Sequence, residues 1–192
     1  MRSLPPRLAE ALSRVSRILT EVSVRWVLVG STASYLNDVE VKPKDIDIIV
    51  KADKVYEVDK VFASSSRVLR RVKYSSSSLY SSHYGVFEIL NVKVEIMADL
   101  KICGEPGCLE VDFEELYRCS RSLRVGNVNI KVAPLEWQLV ANTLIPGKKE
   151  RIMKILEALR TKGVDTEILN SVLSRAPPKV RRRVLELLSQ HL

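Results

Sequence analysis

Residues 26–50 read WVLVGSTASYLNDVEVKPKDIDIIV, and the order of elements along this stretch decides the fold. Trp26–Val29 is an apolar run of the length of a buried strand. Gly30-Ser31 then turns into a short helix over 32–36, a polar loop follows, and a second strand opens with Asp45-Ile46-Asp47. Side chains on a strand alternate faces, so Asp45 and Asp47 share one side while Ile46 and Ile48 share the other. Two carboxylates so placed, with no partner on their own strand, repel each other. A divalent cation removes that repulsion, and Mg²⁺ favours carboxylates combined with phosphate oxygens. Glycine lets a backbone approach a ligand closely, and a helix start presents free N–H groups. Gly30, Ser31 and the following Thr32 are therefore the candidate phosphate cradle.

Gly30-Ser31, a spacer of roughly a dozen residues, and Asp45-Ile46-Asp47 together resemble the signature of the DNA polymerase β-type nucleotidyltransferase superfamily. That family adds a third carboxylate from a neighbouring strand, and Glu95 within Val92-Lys93-Val94-Glu95-Ile96-Met97 matches it here. Ser82-His83-Tyr84-Gly85 and the hairpin after it look like a small prokaryotic subgroup of minimal nucleotidyltransferases. The resemblance extends from Trp26 to about Asp99. It implies an α+β fold, a mixed twisted sheet flanked by helices, with a C-terminal helical region. It also implies two Mg²⁺ ions, with Mn²⁺ able to replace them, bridged by Asp45 and Asp47 and completed by Glu95. The implied reaction moves a nucleoside monophosphate from a nucleoside triphosphate, ATP first, to a hydroxyl of a protein, an RNA end or a small molecule. The alternative is a nucleotidyltransferase-fold antitoxin or nucleotide-binding regulator, because minimal members of this kind often sit beside a helical ribonuclease toxin.

The chain has 192 residues, 46% hydrophobic and 28% charged, which suits a globular protein with a sizeable core. No apolar run approaches the ~20 residues of a membrane span. Arg14 and Arg17 interrupt the N-terminal apolar positions, so no signal peptide is read and a cytoplasmic location is expected. The net charge of +8 favours an acidic partner such as a nucleotide or nucleic acid. Cys103, Cys108 and Cys119 lack metal-site spacing. They leave open a zinc site shared with His83, a Cys103–Cys108 disulfide, or three thiols without a chemical role, the last being the default.

Around this core the pattern predicts a first helix from Pro6, with Leu8, Leu12, Val15 and Leu19 on one face. A second helix is capped by Asp53, and a strand covers 67–73. The serine-rich stretch 75–82 reads as a mobile loop, either a solvated connector or a substrate lid just before His83. Hairpins turn near Asn91 and at Gly126-Asn127, and Asp112–Arg118 is a short helix. Asp99 is a reserve carboxylate, on the side of Glu95 if its strand runs on. From Pro134 the pattern is helical throughout, over 135–144, 148–162, 165–176 and 178–192. We therefore expect a nucleotidyltransferase domain over 1–133 and a helical region over 134–192.

From Lys131 onward twelve Lys and Arg face six acids, so most of the excess positive charge lies in that tail. Lys148 and Lys149, after Pro146-Gly147, are candidate nucleotide contacts. The related toxin-type enzymes carry a later Asp in this helical region, which Asn142-Thr143-Leu144 does not supply. Arg181-Arg182-Arg183 is a compact basic run, more simply a solvated face than an RNA contact. His83 either bonds a backbone carbonyl or touches substrate.

Overall fold

In the computed structural model, which describes residues 3–105 and 107–191, one mixed sheet organises the chain. Its strands are β1 (Trp26–Val29), β2 (Ile46–Val50), β3 (Arg67–Ser76), β4 (Tyr80–Ile89), β5 (Val92–Gly104), β6 (Gly107–Glu110), β7 (Arg121–Val125) and β8 (Val128–Val132). The spatial order is β3-β4-β5-β2-β1-β8-β7, with β6 paired to the far end of β5. β2 runs antiparallel to β1 and parallel to β5, and β1 runs parallel to β8. The helices are α1 (Pro6–Glu21), α2 (Gly30–Leu36), α3 (Val55–Ser65), α4 (Phe113–Cys119), α5 (Leu135–Leu144), α6 (Lys149–Lys162), α7 (Thr166–Arg175) and α8 (Pro178–His191).

The sheet has an apolar layer on each face, which is why β1 is buried along its whole length. Trp26 and Leu28 join α1 and α3 on one side, while Val27 and Val29 join α5–α8 on the other. In β2, Ile46, Ile48 and Val50 face the first layer. Ile49 faces the second, and Asp47 shares that face one step nearer the strand's start. The site therefore lies where the second apolar layer gives way to solvent.

Three expectations change. The serine-rich stretch is a hairpin, with Ser75 paired to Ser82 and Ser76 to Ser81. The Ser77 hydroxyl accepts from the N–H groups of Leu79 and Tyr80, which closes the turn. Asp53 does not cap α3, because it lies inside a 3-10 turn over Ala52–Lys54. Asp99 is no reserve ligand: β5 bulges there, with φ +49 at Asp99 and a register shift against β4. The bulge leaves Asp99 exposed and reverses the strand's alternation. Ala98 belongs to the first layer, but Leu100 and Ile102 turn to the second.

Cys103 and Cys108 form a disulfide across the β5–β6 hairpin, so neither the zinc site nor three idle thiols applies. Cys119 is free, and burial pushes its thiol up to about 11, which keeps it protonated at neutral pH. The hairpin at Asn91 holds: Leu90 and Asn91 both take positive φ, as a two-residue turn between twisted strands requires. No helix among the described residues is long and apolar enough to cross a membrane.

Asp59 is a buried acid on α3 that ties the helix to the edge strand. It accepts from the Arg71 guanidinium at 2.5 and 2.8 Å and from the Val72 N–H at 2.8 Å. Burial opposes the carboxylate, but those hydrogen bonds outweigh it and hold Asp59 below its ordinary range. A depressed carboxylate stabilises the fold above its unfolded pKa, and that stability is lost as pH falls through the folded value. Asp59→Ala should cost about 2 kcal/mol in urea unfolding at pH 7, with the gap to the parent closing below about pH 4.

Candidate active site

Strand register assembles three acids from two distant segments. Val29 stands opposite Asp47 on β1 and β2, and Asp47 stands opposite Glu95 on β2 and β5. Asp45 lies just before β2. The Ser31 hydroxyl donates to its Oδ1 at 3.1 Å, and the Thr32 hydroxyl donates to its backbone carbonyl at 2.5 Å. One oxygen from each of Asp45, Asp47 and Glu95 lies within 4.8 Å of the others.

Gly30 makes the arrangement possible. It takes φ +70, and a Cβ there would strike the Asp47 carboxylate. Ser34, one turn into α2, fixes this corner. Its hydroxyl lies 3.1 Å from the Gly30 carbonyl and donates to the Gln138 side-chain oxygen, while the Gln138 amide donates to the Ala133 carbonyl at 2.8 Å. Arg151 of α6 donates to the Ser34 hydroxyl at 3.4 Å.

The electrostatics suit a cation. Burial, then the charges of Asp45 and Glu95, push Asp47 up to about 8. Three crowded carboxyls with oxygen donors only are the donor set of a hard divalent ion, so the residues present fit Mg²⁺. Glu95 is also ion-paired to Lys93, whose side chain is half-exposed. The hydrogen bond to Glu95 holds Lys93 above its usual range. Burial and Glu95, which accepts a hydrogen bond from the phenol, push Tyr84 far upward, so it stays a donor.

The acids open into a cavity of about 760 Å³, within the size range of small-molecule sites. Gly30, Ser31, Asp45, Asp47, Glu95 and Lys148 all line it. The other candidates are placed differently. Thr32 is buried, spends its hydroxyl on the Asp45 backbone and is outside the lining. Lys149 is exposed and outside the lining, because successive positions at a helix start point in different directions. His83 lies on the opposite face of β4 from Ser82 and Tyr84, with Nδ1 3.0 Å from the Tyr56 hydroxyl and its ring edge-on to Tyr74. It bonds a phenol rather than a backbone carbonyl, and it is not part of the lining.

Several lining residues were not anticipated: Arg70, Tyr80, Tyr84, Trp137 and Gln138, whereas Arg151 follows Lys148 and Lys149 at the basic helix start after Pro146-Gly147. Of the unanticipated residues only Tyr84 carried a signal, through its place in Ser82-His83-Tyr84-Gly85. Arg151 is half-buried beside the acids, and burial lowers its pKa against the pull of Asp47 and Asp45.

The aminoglycoside-2''-adenylyltransferase family model matches residues 11–158. Among solved structures, the chain is 31% identical to TM1012 of Thermotoga maritima, a candidate nucleotidyltransferase. That match covers 84% of this chain and 95% of the other, with a TM-score of 0.65. It shares its fold with the antibiotic-resistance factor ANT(2'')-Ia at 14% identity, covering 98% and 100% of the two chains with a TM-score of 0.58. It also shares it with the lincosamide antibiotic adenylyltransferase LnuA at 12% identity, covering 83% and 99% with a TM-score of 0.52. No curated protein sequence matches it.

Removing one of the three crowded charges tests the cation directly. In metal-free buffer at neutral pH Asp47→Asn should raise stability by roughly 1–3 kcal/mol, because folding no longer requires a carboxylate that is ionised in the unfolded chain to take up a proton. The same variant should lose the thermal stabilisation that Mg²⁺ gives the parent, as read by melting curves with and without the ion.

Proposed function

The chain belongs to the aminoglycoside-2''-adenylyltransferase family and is a nucleotidyltransferase, and from that premise we propose a metal-dependent transfer of adenylate from ATP to an acceptor hydroxyl. The observation that carries this reading is the convergence of Asp45, Asp47 and Glu95 beside the Gly30 corner. Asp45, Asp47 and Glu95 would hold Mg²⁺. When bound, the ion offsets triphosphate charge and makes an acceptor hydroxyl easier to ionise.

The chain's own groups do the rest. Backbone N–H groups at Gly30 and Ser31, with Lys148 and Arg151 from the α6 end, hold the triphosphate oxygens. Glu95 orients the acceptor hydroxyl and takes its proton, and the Tyr84 phenol keeps that carboxylate in place. The acceptor oxygen forms its bond to the α-phosphorus as the bond from that phosphorus to the α–β bridging oxygen breaks, and pyrophosphate departs. The cationic side chains are already in place around the departing charge, so little reorganisation is needed when the bond breaks. In this reading residues 1–133 carry the acids and the glycine corner, and the helices of 134–192 close the cavity over them.

Incubation with ATP labelled on the α-phosphate, Mg²⁺ and cell extract should label an acceptor. Asp45→Asn and Glu95→Gln should each reduce the label about 10²-fold or more, and chelation of the metal should remove it. ATP that binds without any label being transferred would overturn the enzyme in favour of a nucleotide-binding regulator.

A further inference from the structure

We propose that the acceptor is a hydroxyl compound bearing a phosphate group, and that Arg70 is the residue that receives that phosphate. This rests on the transferase reading above. The cavity is lined by Lys42, Lys44, Arg70, Lys148 and Arg151, while its carboxylates are Asp45, Asp47 and Glu95 alone among the described residues. All three acids belong to the group that would hold the metal ion. Nothing acidic is left to receive an ammonium group on an acceptor. With Lys148 and Arg151 given to the triphosphate, a polyamine such as an aminoglycoside would still bring several positive charges against Lys42, Lys44 and Arg70, which is the arrangement that rejects a partner.

Sheet order separates the two ends of the cavity. Gly30 and Ser31 stand at the end of β1, with Arg151 reaching Ser34 beside them. β2, β5, β4 and β3 follow in that order, and Arg70 is on β3, beyond Glu95 from the glycine corner. The Arg70 guanidinium lies 5.1 Å from the centre of the Tyr84 ring, and the Tyr84 hydroxyl bonds Glu95. Arg70 is thus one tyrosine ring away from the group that orients the acceptor, on the side away from the triphosphate.

Its neighbour Arg71 is committed to Asp59, but Arg70 has no carboxylate partner among the described residues. A guanidinium resting on an aromatic face keeps its N–H fork available, and that fork matches a phosphate in two parallel hydrogen bonds. The hydroxyls of Ser75 and Ser82, cross-strand partners that both line the cavity, add neutral donors on the same side.

The test uses the full chain loaded with Mg²⁺ and a non-hydrolysable ATP analogue, titrated calorimetrically with ribose, ribose 5-phosphate, a 5′-phosphorylated tetraribonucleotide and tobramycin. One of the two phosphate compounds should bind at least about tenfold more tightly than ribose, with tobramycin weakest. A margin confined to ribose 5-phosphate identifies a small phosphorylated alcohol, and one confined to the oligonucleotide identifies an RNA end. Arg70→Gln should erase the margin and leave the affinity for the ATP analogue unchanged, and Arg70→Lys should restore part of it. Tobramycin binding more tightly than both phosphate compounds, or a margin that survives Arg70→Gln, would overturn the acceptor assignment alone. Failure of the ATP analogue itself to bind would overturn the transferase reading and this assignment with it.

Discussion

The close approach of the Gly30 backbone to the Asp47 carboxylate is the contact on which the site depends. It needs β1 and β2 in one register, because Val29 must lie opposite Asp47. It also needs a residue without a side chain at a positive φ. The same β2 residue then fixes the third acid, because parallel pairing with β5 puts Glu95 beside it. A shift of one position in either pairing would turn a carboxylate into an apolar layer, where its cost would be high. Both apolar layers therefore enforce the geometry of the acids: Ile46, Ile48 and Val50 hold β2 from one side and Ile49 holds it from the other.

Much of this was legible in the residues because it depends on short-range periodicity. Strand alternation placed Asp45 and Asp47 together, the helical region after Pro134 followed its apolar spacing, and the turn at Asn91 had its expected chemistry. What could not be read depends on contacts between distant segments. Thr32 looks like a third phosphate donor until the Asp45 backbone is seen to take its hydroxyl. Ser75–Ser82 has the composition of a connector, but two serine-rich halves can pair as strands because backbone groups carry the ladder. His83 is adjacent to a cavity residue in sequence and therefore on the other face of the sheet. Gln138 reaches the site only because α5 packs over it, and no local pattern marks it out from other helical residues.

Charge has a similar history. The excess of Lys and Arg from residue 131 onward suggests a basic tail, yet the cations that face the acids come from three places. Lys42 and Lys44 precede β2, Arg70 comes from the edge strand β3, and Lys148 and Arg151 from the start of α6. The basic run at Arg181-Arg182-Arg183 stays exposed on α8 and is not part of the lining. Net charge counted along the chain thus pointed to an acidic ligand, but folding decided which of those charges could meet it.

The bulge at Asp99 divides β5 into two parts with separate duties. Before it, the strand is locked to β2 and carries Glu95 beside Asp47. After it, the strand pairs with β6 and presents Leu100 and Ile102 to the cavity wall. A break in alternation uncouples the two, so the outer arm can lengthen, shorten or change its apolar residues without moving the acid upstream. One strand can in this way hold an acid and an apolar wall in registers set independently of each other.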